Sequence, residues 1–252
     1  MNLPPELLDE IIDHISDEQS LRNCSLVAKS WVYPSRRQIF EFVDIWRDGP
    51  LYMWLDAISP TNIGVLQHVR SVQCRSYLHP DSPHPPAGFL HDYWPSFHHL
   101  ERLAFSSGFL PPYTQIPIFS AFRHSLLSLS LRSCGVRIDG LVTLVDYFPN
   151  LAHLELVSLC HMAGGFPARF SRPLQKLAIS YFFTKSAQDF LDHLMEQHPL
   201  CDEVSISTYP VSGPSLTQHV INGVEASVQR LNIESDLEGA FNIPKGPVVR
   251  NV

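Results

Sequence analysis

One apolar pattern recurs eight times along this chain of 252 residues and constrains its fold more than any other feature. In each copy, an apolar residue or a cysteine occupies the first, fourth and sixth positions of the form Leu-x-x-Leu-x-Leu. The starts are separated by 29, 31, 26, 25, 23, 27 and 27 residues, and such near-even spacing indicates a structural repeat. The copies begin at Phe40, Val69, Leu100, Leu126, Leu151, Leu174, Cys201 and Val228.

The spacing predicts a short strand in each copy, followed by a helical or irregular return. Side chains alternate along a strand, so the fourth and sixth positions point to one face. We expect Asp139 to cap one return helix, and Thr184 or Ser186 to cap another. Weaker helical patterns cover 51–58, 116–122 and 216–224, whereas 78–89 and 164–173 are expected to be loops. Strand–helix–strand units of this length favour parallel strands.

No single unit covers its own apolar face, so we expect an α/β fold in which the units stack into a curved solenoid. The period resembles that of leucine-rich repeats, although the first two units are longer than usual. The repeats are degenerate, because only the unit from Leu126 to Cys134 has the form LxxLxLxxC. We assign residues 41–252 to this solenoid, with about eight strand units.

The first 40 residues have a different, helical periodicity. Leu7, Leu8, Ile11, Ile12 and Ile15 fall within one arc of roughly 140° on an ideal helix, with acidic residues opposite. Two prolines, at positions 4 and 5, suit the first turn of this predicted helix. A capping box at Ser16-x-x-Gln19 predicts a second helix, with an apolar stripe at positions 21, 24, 28 and 31. Pro34 predicts the start of a third, short helix.

These residues resemble an F-box. The resemblance lies in Leu3-Pro4-x-Glu6-Leu7-Leu8-x-x-Ile11-Ile12-x-x-Ile15, then Ser20-Leu21, then Leu26-Val27-Ala28-Lys29-x-Trp31. Ala28 stands where the family usually has cysteine. The resemblance covers residues 1–40 and implies docking to the Skp-type adaptor of a cullin–RING ubiquitin ligase. The adaptor-binding residues that it implies are Leu3, Pro4, Leu7, Leu8, Ile11, Leu21, Val27 and Trp31.

Composition excludes several other classes of function. A net charge of −7 argues against a nucleic-acid partner, and no apolar run approaches the ~18 residues of a membrane span. The acidic, already patterned N-terminus is not that of a signal peptide. Five widely spaced cysteines indicate reduced thiols, so we expect a cytoplasmic or nuclear protein.

No catalytic motif is recognisable. There is no phosphate-binding glycine loop, nucleophile elbow or paired-carboxylate signature. The thirteen histidines include a group at 79, 84, 91, 98 and 99, but none has metal-ligand spacing. We therefore expect no enzyme activity, no metal and no cofactor.

The strand face opposite the leucines is the expected binding surface for an unidentified protein substrate. Arginines at three strands suggest a patch for an acidic or phosphorylated target, although the simpler and favoured explanation is ordinary solvated charges on a concave sheet. The candidate substrate-binding residues are Arg75, Arg102, Arg132, His153, Glu155 and Lys176.

The sequence thus favours a non-catalytic substrate-recognition subunit of an SCF-type ligase. One alternative is a leucine-rich-repeat scaffold not coupled to ubiquitination, with the apolar face of the helices buried within the chain. The other is an α/β enzyme with an unrecognised site. Docking predicts an exposed apolar patch on the helices, a scaffold predicts that it is covered, and an enzyme predicts a deep polar-lined pocket.

Overall fold

The computed structural model describes residues 4–46, 66–75, 94–109, 113–163, 170–180, 201–208, 230–235 and 248–251. Within these ranges the protein is α/β, with three N-terminal helices followed by a parallel sheet. The helices are α1 (Pro5–Asp13), α2 (Glu18–Val27), α3 (Lys29–Phe40) and α4 (Ile138–Tyr147). The strands are β1 (Phe42–Trp46), β2 (Ser71–Arg75), β3 (Arg102–Phe109), β4 (Ser128–Arg137), β5 (His153–Val157), β6 (Cys160–Ala163), β7 (Leu174–Ser180), β8 (Cys201–Thr208), β9 (Arg230–Ser235) and β10 (Val248–Asn251).

The sheet follows chain order. Its strands lie in the sequence β1-β2-β3-β4-β5-β7-β8-β9-β10, and β6 pairs with the far end of β4. Every pair of strands is parallel. The sequence prediction of an α/β fold with parallel strands is confirmed, and a strand begins within two residues of each of the eight pattern starts.

The repeat pattern sets the register of the sheet. Fourth positions align with fourth positions, as in Val72, Leu103 and Leu129, and sixth positions with sixth positions, as in Cys74 and Phe105. These two rows face a continuous apolar core. Burying each large aliphatic side chain contributes roughly 1.5–3 kcal/mol, and a slip of one residue would turn both rows outward.

A repeated backbone hydrogen bond fixes the starts of five strands, β2 to β5 and β7. The Glu41 carbonyl accepts two N–H groups, from Arg70 and Ser71, both at 2.9 Å. The same fork recurs at the carbonyls of residues 70, 101, 127 and 152, each of which accepts from two successive N–H groups of the next unit at 2.8–3.0 Å. In every copy the acceptor is the residue directly after the first position of the pattern.

Aromatic side chains form the layer between the sheet and its returns. Trp94 and Phe97 precede β3, while Phe119 and Phe122 belong to a 3₁₀ segment, Tyr113–Phe122, that precedes β4. Phe122 stacks on Phe148, with ring centroids 6.0 Å apart and an angle of 11° between their planes. All five rings are fully buried, so the aromatic residues of three successive returns pack as one core.

Three serines adopt left-handed backbone conformations at the same place in successive units. Ser107, Ser133 and Ser158 have φ values of 60°, 50° and 49°, and each lies two residues after the sixth position of the pattern. Strict alternation would direct residue 133 into the core, but the left-handed turn leaves Ser133 exposed and buries Cys134 instead. This turn is the physical reason for the LxxLxLxxC spacing.

The structure corrects three details of the helical prediction. The cap of α2 is Asp17, which accepts a 2.7 Å hydrogen bond from the Ser20 N–H, and not Ser16. Hydrogen bonding with the Ser20 side chain, and secondly with its backbone N–H, lowers the pKa of the Asp17 carboxyl. Pro34 lies inside α3 rather than at the start of a helix. Ala28 is extended, so the stripe predicted to run from position 21 to Trp31 is divided between two helices.

The returns between strands follow the prediction only in part. The helix predicted after β4 is present, but Arg137 is its N-cap, and Asp139 lies in its first turn. The weaker pattern at 116–122 forms a 3₁₀ segment instead of an α-helix. Pro117 inside this segment explains the difference, because proline has no backbone N–H to donate. The helices predicted around 51–58, 184–195 and 216–224 and the loop at 78–89 lie outside the described residues.

The left-handed serines make a prediction about stability. Ser133→Gly should maintain or raise the free energy of unfolding, since glycine adopts positive φ without steric cost. Ser133→Val should lower it by roughly 1–2 kcal/mol, measured by urea unfolding followed by tryptophan fluorescence. Ser128→Val is the matched control, a half-buried serine of the same strand outside this turn. Equal losses in both valine variants would contradict this explanation.

Candidate functional site

The three N-terminal helices expose most of the large apolar side chains at the surface. Of seven large hydrophobic residues that are exposed among those the structure describes, five lie in these helices. Leu7 and Ile11 of α1 are 47% and 43% exposed, and Leu26 and Val27 of α2 are 84% and 68% exposed. We refer to these four residues as the aliphatic surface.

Helix α1 divides its apolar stripe between two environments. Leu8 and Ile12 are buried with Leu21 of α2 in a small core of their own, separate from the core of the sheet. Leu7 and Ile11, one residue earlier in each case, face outward. Leu8 and Leu21 were predicted to contact an adaptor; the structure buries both side chains between the helices, and their contact with an adaptor stays a prediction.

The end of α2 explains why Leu26 and Val27 are exposed. The helix stops at Val27, and the extended Ala28 separates it from α3. Both side chains therefore lie beyond the small core, on the last turn. Val27 was a predicted docking residue, whereas Leu26, the most exposed of all, was missed as a site residue. Its place within the F-box-like segment was the only sequence signal for it.

The three remaining predicted docking residues are not part of the aliphatic surface. Pro4 is exposed directly before α1, and Trp31 is half-buried against the small core. Leu3 lies outside the described residues.

An ion pair joins α3 to α1. The Arg37 guanidinium lies 2.7 Å from a carboxylate oxygen of Asp13 and 3.8 Å from one of Asp9. The hydrogen bond with Asp13 raises the pKa of Arg37. Asp9 and Asp13 are four residues apart and therefore share one face of α1. Their ion pairs with Arg37 hold α1, and with it the exposed Leu7 and Ile11, in a fixed orientation.

The outer face of the sheet brings the predicted substrate-binding residues together. All six have the expected strand positions and point away from the apolar core. Their cationic members are nevertheless paired with carboxylates. Arg75 lies 2.8 Å from Asp44, Arg132 2.9 Å from Glu155, and Lys176 2.8 Å from Glu203.

Arg102 is bound more loosely, 3.5 Å from Glu41 across the intervening strand. These four cations and four carboxylates sum to zero charge. A phosphate group would therefore have to compete with a carboxylate for every one of these cations. The arrangement offers a hydrogen-bonding, charge-balanced surface rather than a free arginine patch.

The densest polar contacts of this face surround Glu155. Its carboxylate accepts hydrogen bonds from the nearly buried Ser130 hydroxyl and from the Arg132 guanidinium. His153 lies two residues earlier on the same strand and is exposed. The register places His153 beside Ser128 and Lys176, so a mixed group of donors and acceptors occupies the middle of the sheet.

Buried cysteines belong to the core. Burial raises the pKa of Cys201 to about 12 and that of Cys74 even further, so both thiols stay protonated near neutral pH. In the ranges that the structure describes, no group of three or more His, Cys, Asp or Glu side chains is arranged to hold a metal ion. No helix among the described residues is long and apolar enough to cross a membrane.

Comparison with known proteins gives no match: no protein-family model fits the chain, and no curated protein is significantly similar to it.

Helix α1 buries Leu8 and exposes Leu7, which predicts different effects on the free energy of unfolding when each is replaced by alanine. Leu8→Ala should lower the free energy of unfolding by about 2–5 kcal/mol, because it leaves a cavity in the small core. Leu7→Ala should change it by less than about 0.5 kcal/mol, as expected at the surface. Thermal or urea unfolding of the two variants measures the difference, and an equally severe loss at Leu7 would show that this side chain is buried within the chain.

The charge pairs on the sheet predict a modest and salt-sensitive coupling. A double-mutant cycle of Arg132→Ala and Glu155→Ala should give a coupling energy of about 0.5–1 kcal/mol at low salt, and less in 1 M NaCl. The cycle of Arg22→Ala and Glu18→Ala, an exposed pair one helical turn apart, is the control and should give about 0.3–0.5 kcal/mol. Zero coupling between Arg132 and Glu155 would show that Arg132 is free to bind other anions.

Proposed function

We propose that this chain is a non-catalytic substrate-recognition subunit of an SCF-type cullin–RING ubiquitin ligase. Residues 1–40 are an F-box-like module that docks on the Skp-type adaptor, and residues 41–252 are a degenerate leucine-rich-repeat solenoid that binds a target protein. In this role the protein has no chemistry of its own. It raises the effective concentration of the target beside the ubiquitin-loaded enzyme, in the cytoplasm or the nucleus.

One observation carries the proposal: the N-terminal helices complete a small core yet leave four large aliphatic side chains exposed. The small core consists of Leu8, Ile12 and Leu21, with Ile15, Cys24, Trp31 and Ile39 packed against it. It does not include the aliphatic surface of Leu7, Ile11, Leu26 and Val27. Each of these four side chains would contribute roughly 1.5–3 kcal/mol if a partner buried it fully. The set includes three of the residues that the F-box resemblance implies as adaptor contacts.

The order of the strands supports a solenoid. A doubly wound nucleotide-binding sheet reverses its strand order at a switch point, where its ligand binds. Here β1 to β5 and β7 to β10 follow one another without reversal. The forked hydrogen bonds repeat from unit to unit, as expected of a structure in which each repeat contacts only its neighbours.

The charge-balanced outer face fits recognition of a folded or extended protein surface through hydrogen bonds and shape. Its central group of Ser130, Arg132 and Glu155 is already connected internally, so little side-chain entropy remains to be lost on binding. This pre-organisation favours specificity over strong electrostatic attraction.

Co-purification with the Skp-type adaptor tests the proposal. Wild type should retain the adaptor, and Leu7→Asp combined with Ile11→Asp should abolish retention, because two carboxylates would be buried without partners. Leu127→Asp is the matched control. Leu127 is 43% exposed, as Ile11 is, but lies directly before β4, so this variant should bind the adaptor normally.

Circular dichroism of each variant verifies that the fold is intact. If folded wild type fails to retain the adaptor, the ligase proposal is wrong, and the uncoupled scaffold becomes the better description. If the folded double variant still binds, the adaptor uses a surface other than the aliphatic one.

A further inference from the structure

A buried histidine lies in the contact between α3 and the residues that precede β2. The His68 side chain is only 9% exposed, and the Tyr33 ring of α3 contacts it edge-on, with ring centroids 4.9 Å apart. His68 belongs to a short 3₁₀ turn at 66–68, just before β2. Imidazole ordinarily changes its charge near neutral pH, so the contact between the helices and the sheet includes a titratable group.

The two sides of this contact differ in how firmly they are held. Leu66 and Val69, which flank His68 closely in sequence, are buried in the core of the sheet. Tyr33 is 60% exposed, so much of its side chain already faces water. The imidazole can therefore reach water with less disturbance if Tyr33 moves away than if the turn leaves the core.

Charged side chains approach His68 from three parts of the chain. Arg36 and Arg37 lie three and four residues after the tyrosine, on the same side of α3. Arg70 follows His68 by two residues, and its guanidinium reaches the His99 carbonyl of the next unit at 3.4 Å. These neighbours are basic, so none of them stabilises a protonated imidazole.

Carboxylates offset part of this charge. Arg37 lies 2.7 Å from Asp13 and 3.8 Å from Asp9, and Arg70 lies 3.3 Å from Glu101. Because these acids are engaged by two of the arginines, the local charges partly cancel. Burial is then the main obstacle to charging the imidazole, since removing a cation from water is costly.

The direction of the pH effect follows from this environment. Burial is the largest cause that lowers the pKa of His68, and the four basic neighbours act in the same direction. A histidine in an unfolded chain has a pKa of about 6.5. Between that value and the lower pKa of the folded state, the unfolded chain binds more protons. The stability that His68 contributes is therefore present above about pH 6.5 and is lost as the pH falls through this window.

We propose that His68 is an acid-sensitive contact between the N-terminal helices and the sheet: protonation of its ring drives it toward water, displaces Tyr33 and weakens the packing of α3. At neutral pH the contact helps to hold the helices, and with them the aliphatic surface, against the sheet. The inference concerns how two parts of this chain are joined and does not depend on the proposed function.

Thermal unfolding of the full-length chain at pH 7.5 and pH 5.5 tests the proposal. His68→Phe keeps a ring against Tyr33 but cannot be protonated, so its Tm should fall less between the two pH values than that of wild type. His124→Phe is the matched control, because His124 is an exposed histidine, and it should keep the pH dependence of wild type. His68→Gln, which is also neutral at every pH, gives the same comparison if phenylalanine does not fit.

Hydrogen exchange locates the change. In wild type, the protection factors of the α3 amides should fall below pH 6.5 by up to about ten-fold per unit of pH, the most that one added proton allows. Those of β4, which lies two strands beyond β2, should fall less. In His68→Phe, the protection of α3 should stay constant over the same range.

Two results would overturn the proposal: an equal fall in Tm for wild type and His68→Phe, or an equal loss of α3 protection in both. A loss spread evenly over α3 and β4 would also contradict it, since that result describes acid unfolding of the whole chain. Adaptor retention plays no part in these measurements, so the failure of one proposal leaves the other intact.

Discussion

The forked hydrogen bond at the start of β2, β3, β4, β5 and β7 is the contact on which the rest of the sheet depends. One carbonyl accepts N–H groups from two successive residues of the next unit, and it does so five times from Glu41 to Ala152. The side chains at these positions include acids, a base and apolar residues, because only the backbone takes part. The fork fixes where each unit begins, and the apolar rows then determine which face is buried.

Once the register is fixed, the two faces of the sheet acquire different roles. The inner rows join the aromatic residues of the returns in one core, while the outer rows bring together side chains that are far apart in sequence. Ser130, Arg132 and Glu155 meet on this outer face although 25 residues separate the first from the last. Cross-strand pairing, rather than net charge, determines what this face can bind.

The N-terminal helices depend on a much smaller core. Their core consists of Leu8, Ile12 and Leu21, with Ile15, Cys24, Trp31 and Ile39 packed against it. The ion pair of Arg37 with α1 adds a polar contact, and the Tyr33 ring contacts His68, which lies three residues before β2. Leu7, Ile11, Leu26 and Val27 do not join this core and are exposed. The same three helices thus present an apolar surface on α1 and α2.

Sequence alone determined the parallel α/β class, the positions of eight strands and the identity of the apolar rows, because a two-residue alternation repeated at near-even spacing permits few other structures. It also located the six outer-face residues. Only the tertiary structure decided which of the helical leucines face inward, since a stripe of roughly 140° is wider than the contact that α1 makes. The structure likewise decided that the outer arginines are paired with carboxylates, because these ion pairs join residues that are far apart in sequence, and no local pattern records which carboxylate each cation reaches.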